Sequence, residues 1–398
     1  MTDERQKDPQ NSKMNDITHI GMLFVGGMHQ AMHIAPLAQS LARTEDVRVT
    51  AFTGPDDAEA LKMMLAGLAR PSSSPIRVKQ LSFSGKVGFI SRLAPKKLNK
   101  ILRILALRAQ FEGLDALIAT ERTSTILKRF PGSKPPRMIH FPHGAGDGGR
   151  GFDPRIRLFD YVLVAGSMVY ERTLAMGLAG PDNCTIVGSI KLAALTGPDA
   201  QPVRSPFSDD KPIILYNPHF NTRLSSWKMA EAIVDRIVSD GRFNLILAPH
   251  ARLFDMMGDA ERAKWLERSG APNLHIDMKS PRLSDMSYTR LADIYLGDIS
   301  SQVYEFLHIP RPCVFVNAHG IHWNDDADYA MWLLGDVGAS PDEIMDALSS
   351  ALDRHSHYRS AQERKAAEVL GPIDQGVPDR AALEVIRFLK ASGKAAQD

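Results

Sequence analysis

At 398 residues the chain is longer than one hydrophobic core ordinarily organises, and it predicts two domains of about 200 residues each. Hydrophobic residues make up 44% and charged residues 24%, the balance of a globular protein, which excludes a disordered or fibrous chain. A formal charge of +2 gives no electrostatic case for nucleic acid, and the two well-separated cysteines, Cys184 and Cys313, exclude a disulfide framework or a paired-cysteine zinc site.

Residues 1–16, MTDERQKDPQNSKMND, carry no apolar run, so they read as a disordered tail and neither a secretion signal nor an anchor. No later stretch approaches the roughly 18 to 20 apolar residues of a membrane span, and the expected location is the cytoplasm. ITHIGMLFVGG (17–27) predicts a buried strand ending in glycines, with the helical pattern MHQAMHIAPLAQSLART after it. VRVTAFTG (47–54), DALIAT, RMIHFPHG, YVLVAGS and CTIVGS follow as further strands. After LTGPDAQPVRSPFSDDKP (195–212), rich in turn formers, the scheme restarts with PIILYNPH (212–219), FNLILAPH (243–250), NLHIDM, ADIYLGD and CVFVN. PDRAALEVIRFLKAS (378–392) closes the chain as an amphipathic helix. Strands that are apolar throughout and alternate with helices predict parallel sheets covered on both faces. The expectation is therefore α/β, two doubly wound Rossmann-like domains facing a cleft. The first spans 17–194 and the second 212–375, with a linker at 195–211. The segment 376–398 is expected to be a helix packing back on the first domain.

In such sheets ligands bind at the carboxyl ends of strands, so the polar groups there are the candidates for chemistry. The segment Leu291–Glu305, LADIYLGDISSQVYE, is the most informative. It runs from an apolar strand through Gly297 and Asp298 to Ser300 and Ser301 at a predicted helix start, with Glu305 one turn on. Unpaired backbone N–H groups and serine hydroxyls at a helix start can hold a phosphate, and Glu305 could then accept hydrogen bonds from ribose hydroxyls. An ordinary serine cap explains the same two serines without a ligand.

Two further strand ends in this half carry a histidine close to an arginine: His219 in YNPHFNTR, and His250 with Arg252 in APHAR. Cations there can neutralise charge developing on a phosphate leaving group. In the first half, Gly26 and Gly27 form a strand-to-helix turn that allows close backbone approach by a substrate, but the pattern is not a dinucleotide fingerprint. His29 and His33 share a helix face, without a third metal ligand nearby. His143, followed by Gly144 and a glycine-rich stretch to Arg150, is placed to act as a general base, since an imidazole titrates near 6.5. The alternative is a histidine that merely hydrogen-bonds within its loop, and His140, alternating onto the strand, reads as structural.

The order of these motifs resembles the CDP-glycerol glycerophosphotransferases that polymerise teichoic acids: an HG loop, YNPHF, a strand ending in PH, then AD-x-x-x-x-D-x-SS with a following glutamate. Those enzymes are two-domain transferases of the GT-B fold. IVGSIKLAAL (186–195) is similar to the end of the first domain of UDP-GlcNAc 2-epimerases, which share the fold. The likeness covers roughly 138–317 in motifs and the first 130 residues in architecture only. It implies His143 as the base and His250, Ser300 and Ser301 as holders of the donor phosphates, while Glu305 matches a ribose-binding glutamate. His33 with Pro36 is similar to the H-x-x-P of lipid-acceptor glycosyltransferases of this fold. The chain departs from the pattern where the family reads TDYSS, at Gly297-Asp298-Ile299-Ser300-Ser301. It departs again where the family has a histidine followed by proline, at Pro249-His250-Ala251. His219 and Asn221 also replace its threonine and arginine, so the donor does not follow.

From Lys86 to Arg108 seven basic residues interleave with apolar ones, and no acid appears before Glu112. Such a helix over 86–110 can rest on an anionic membrane surface, at the inner face of the plasma membrane, or can simply be a helix with a basic polar face. The resulting expectation is a transferase moving a glycerophosphate or glycosyl group from a nucleotide-activated donor to a lipid-linked or polymeric hydroxyl acceptor in cell-envelope polymer synthesis. His143 and His250 would be catalytic. His219, Arg252, Asp298, Ser300, Ser301 and Glu305 would bind the donor, and Gly26, Gly27, His33 and Gly144 would lie on the acceptor side, with no metal or cofactor. The alternatives are a UDP-sugar glycosyltransferase, a UDP-GlcNAc 2-epimerase-like enzyme and a non-catalytic nucleotide-sugar-binding module.

Overall fold

The computed structural model describes residues 17–69, 74–82, 96–106, 108–129, 135–144, 151–197, 200, 202–278 and 280–394. Its amino-terminal sheet contains β1 (Thr18–Phe24), β2 (Val47–Thr53), β3 (Arg77–Gln80), β4 (Ala116–Ala119), β5 (Arg137–His140), β6 (Tyr161–Val164) and β7 (Cys184–Ile186), in the order β3-β2-β1-β4-β5-β6-β7. The carboxy-terminal sheet contains β8 (Ile213–Asn217), β9 (Asn244–Leu247), β10 (Leu274–Ile276), β11 (Ile294–Gly297), β12 (Cys313–Val316) and β13 (Asp336–Gly338), in the order β10-β9-β8-β11-β12-β13. Neighbouring strands are parallel, as between β1 and β4 and between β8 and β11. β4, β6, β9, β11 and β12 are buried at every position, which is why their sequences are apolar without alternation. Strand order reverses between β1 and β4 and again between β8 and β11, and each reversal opens a crevice at the carboxyl ends.

Two strands and one long helix lie outside the sequence-based expectation. β3 is an edge strand, RVKQ, exposed or half-buried throughout, and β13 is only DVG, so neither carries an apolar run to announce it. The helix Pro341–Leu370 is 30 residues long and buries a discontinuous stripe that includes Ile344, Leu348 and Val369. No helix among the described residues is long and apolar enough to cross a membrane.

The core of the amino-terminal sheet unites Ile20, Met22, Ile118 and Ile139 with Leu37 and Leu41 of the helix Ala35–Arg43, and with Val377, Ala381 and Val385 of the last helix, Val377–Lys394. The short helix Ile190–Leu195 serves both halves. Ile190 and Ala193 join that core, whereas Leu192 packs with Leu215, Tyr295, Tyr304 and Val369 beside the second sheet. The chain returns to the first half at Gly371, whose φ of 59° suits glycine and where a Cβ would overlap the carbonyl oxygen of Ala165. Ser189 N donates to Pro372 O at 2.9 Å, which binds the outgoing and returning segments together.

Candidate functional site

The first half of the site is built where β1 gives way to a short helix, Met28–Ala31. Gly27 caps that helix with φ 96°, a conformation that L side chains rarely adopt. Gln30 on this turn is only 5% exposed and meets two groups from neighbouring strand ends. Thr120 Oγ1, just past β4, donates to Gln30 Oε1 at 3.1 Å, and Gln30 Nε2 lies 2.9 Å from His143 Nε2, just past β5. His143 Nδ1 is 3.1 Å from the carbonyl oxygen of Thr120. A carbonyl only accepts, so Nδ1 carries the hydrogen and Nε2 presents its lone pair to the Gln30 amide.

The His29 and His33 rings sit edge-on to His143, with centroids 6.3 Å and 6.5 Å away. Burial first, and then the charges of His143, Arg252, Lys191 and Lys100, lower the His29 pKa to about 4. Burial also holds His33 well below the ordinary histidine value and His143 below it, the latter against the opposing hydrogen bond to Thr120. These imidazoles are therefore neutral at physiological pH, while Lys191 and Lys100 nearby are each paired with a glutamate, Glu305 and Glu121. Among the described residues no group of three or more His, Cys, Asp or Glu is arranged to hold a metal ion.

The second half of the site comes from the ends of β8, β9 and β11. His219 Nδ1 accepts from Asn221 N at 3.0 Å, and His250 Nδ1 caps the helix Ala251–Met256 by accepting from Arg252 N at 3.1 Å. Phe220 lies between them in contact with both rings, at centroid distances of 4.5 Å and 4.7 Å, and the Arg252 guanidinium stands 5.2 Å over the Phe220 ring. Burial, followed by the charges of His219, Arg252 and His29, takes the His250 pKa down to about 3. The two strand-end clusters face one cleft: Gly144 of the first half comes up against Ser301 of the second, and Arg252 lowers the His29 pKa as His29 lowers that of His250. Gly144, with φ 80°, closes the approach from the first side. A Cβ there would stand 3.2 Å from Ser301 Oγ.

Three donor-side expectations change on contact with the geometry. Asp298, expected to meet the donor, is fully buried. Its carboxylate accepts from His219 N at 2.8 Å and from Ser226 N at 2.9 Å, so it staples the 217–226 loop under the site and does not line it. Ser300 accepts from Gln302 N at 3.3 Å, the ordinary cap arrangement, and the helix it starts, Ser301–Phe306, has only six residues, too short for much dipole. Glu305, expected at the mouth for ribose hydroxyls, is 7% exposed, and both its oxygens accept from Lys191 Nζ, at 2.8 Å and 2.7 Å.

Lys191, Gln30 and Thr120 were not singled out from the sequence. Lys191 is an isolated cation in an apolar helix, and the only trace of Gln30 is the glycine pair before it. A small recess with a cavity volume of about 10 Å³, room for roughly one water, lies beside Glu305 and is lined also by Asn217, Ala248, Arg282, Tyr288 and Gln302. Asp147 and the rest of 145–150 lie outside the described residues, as does the whole of the basic stretch before residue 96. Of the remainder, the helix Lys96–Ala106 buries Ile104 and exposes Leu98 and Leu102, while Lys100 pairs with Glu121 at 2.8 Å.

No family model and no curated protein matches the chain. Solved structures do match it over nearly its whole length. A structure of the S. aureus protein MnaA with UDP gives a TM-score of 0.64 at 12% identity, covering 94% of this chain and 97% of that one. A variant of the wall teichoic acid polymerase TagF with CDPG gives 0.62 at 13%, covering 95% and 90%. A UDP-GlcNAc 2-epimerase from Neisseria meningitidis bound to UDP-GlcNAc gives 0.57 at 12%, covering 94% and 100%. Likeness at this level of identity establishes the architecture: two Rossmann-like halves in the GT-B arrangement.

Proposed function

We propose that the chain is a transferase of the GT-B type that moves a glycerophosphate or glycosyl group from a nucleotide-activated donor to a hydroxyl acceptor of an envelope polymer. The observation that carries this reading is the convergence of two strand-end clusters on one cleft. The first supplies His143, a neutral imidazole whose Nδ1–H is tied to a backbone carbonyl. The second supplies His250, Arg252 and Ser301, with the Lys191 ammonium between the two halves. In the proposed reaction His143 Nε2 takes the proton of the acceptor hydroxyl as that oxygen bonds to the donor's phosphorus or anomeric carbon. The bond from that centre to the nucleotide phosphate breaks, and the charge left on the nucleotide meets the Arg252 guanidinium. The acceptor would lie on the side of Gly26, Gly27, His33 and Gly144, and Leu98 and Leu102, exposed one turn apart, suit contact with a lipid-linked acceptor at a membrane surface.

A thermal-shift screen of CDP-glycerol, CDP-ribitol, UDP-GlcNAc, CMP-sugars and GDP-mannose tests the donor site. A ligand present at 100 times its Kd stabilises the fold by about 2.7 kcal/mol, and no response to any nucleotide would overturn the reading. His143→Ala should leave that response in place and abolish transfer. An epimerase-like reading is favoured by the neighbour bound to UDP-GlcNAc. Epimerisation at C2 needs loss and return of the carbon-bound hydrogen, so deuterium uptake from solvent into UDP-GlcNAc, without an acceptor, would select it.

A further inference from the structure

We infer that Gln30 is a positioning residue for His143: its amide fixes the ring's tautomer and holds the Nε2 lone pair until an acceptor hydroxyl takes its place. The inference rests on the proposed role of His143, but its geometry stands alone. Three groups form a closed ring of hydrogen bonds. Thr120 holds the Gln30 oxygen with its hydroxyl and His143 Nδ1 with its carbonyl, and Gln30 closes the ring onto His143 Nε2. Gln30 is 5% exposed and Thr120 is 2% exposed, so neither polar group has water as a ready alternative.

The amide's orientation is not free. Turning it over would set Oε1 against the Nε2 lone pair, an arrangement that only an imidazolium could satisfy. Burial first, and then Arg122 and Lys100 from the first half and Arg252 from the second, oppose an imidazolium at His143, which the neutral His29 and His33 rings flank edge-on. Gly26 supplies independent support. Any Cβ at that position would overlap the Gln30 amide, so the glycine clears the space in which the amide sits. The G-G-x-x-Q spacing thereby acquires a reason distinct from substrate approach.

The chemical consequence concerns water. While Gln30 donates to Nε2, His143 cannot draw a proton from a water molecule, and an activated donor in the site is protected from hydrolysis. An acceptor hydroxyl that enters the cleft replaces the amide as donor to Nε2, and the same lone pair then accepts its proton.

The test is ¹⁵N and ¹H NMR of the His143 imidazole in the full-length protein, without ligand, for wild type, Gln30→Glu and Thr120→Val. Wild type should show the Nδ1–H tautomer. Gln30→Glu, nearly the same shape, places a carboxylate at Nε2, draws a proton there and should raise the His143 pKa by about one to three units. Thr120→Val keeps the volume but releases the amide, and should broaden or mix the tautomer signals. If Gln30→Glu folds and leaves both tautomer and titration unchanged, the inference falls; if it does not fold, Thr120→Val decides in the same way. The acid limb of the transfer rate should move up with the NMR titration, and the ratio of donor hydrolysis to transfer should rise several-fold in Gln30→Ala. An NMR response without any nucleotide binding would sink the transferase reading while leaving Gln30 in its role.

Discussion

Asp298 shows how a polar residue at a strand end can serve the site without touching its ligand. Burial raises its pKa to about 7 despite the backbone N–H groups of His219 and Ser226 that favour the carboxylate. The folded value lies above the unfolded one of about 3.9. Stability from this group is therefore fully present below pH 4 and is lost as pH rises toward 7, beyond which its effect is constant. Asp298→Asn should flatten the fall in melting temperature between about pH 4 and pH 7; a variant with the wild-type slope would show that another group sets it. The substitution should also loosen the 217–226 loop, because one amide oxygen replaces two carboxylate oxygens that accept there. Sequence spacing assigned Asp298, Ser300 and Glu305 to the right sheet edge. It could not assign their partners, because the loop behind Asp298 lies some 70 residues earlier and Lys191 lies 114 residues from Glu305.

Elements were legible where periodicity carried them. The apolar runs marked β1, β2, β4 to β7 and β8 to β12 because strands packed into a covered sheet need such sequences. β3 and β13 were not legible, since an edge strand's polar face and a three-residue pairing leave no pattern. The helix Pro341–Leu370 carries a start signal in its sequence, Ser340-Pro341-Asp342-Glu343. Ser340 Oγ accepts from Glu343 N at 3.2 Å, and the Glu343 carboxylate reaches back to Ala339 N at 2.8 Å. Ser340→Ala should cost about 1 kcal/mol, read as a lower urea midpoint, and Ser340→Asp should recover it. Equal midpoints for wild type and Ser340→Ala would mean that tertiary packing alone sets the helix start.

Across the whole molecule, the buried pair Lys191–Glu305 ties the helix Ile190–Leu195 of the first half to the helix Ser301–Phe306 of the second. Removing one partner leaves a buried charge uncompensated, so Lys191→Met should destabilise by about 3 to 5 kcal/mol, whereas Lys191→Met with Glu305→Leu should be far milder. Chemical denaturation of both variants checks this, and equal losses would show that the pair contributes packing and little charge. The last helix ties the halves a second way, since Val377, Ala381, Ala382 and Val385 complete the core beneath β1 and the helix Ala35–Arg43. That placement has a consequence for biogenesis. A chain emerging amino end first exposes the apolar side of Leu37 and Leu41 throughout synthesis of the second half, and covers it only when the final helix leaves the ribosome. The half made first is therefore finished last, and nascent chains halted near Gly371 should engage chaperones that the completed protein ignores.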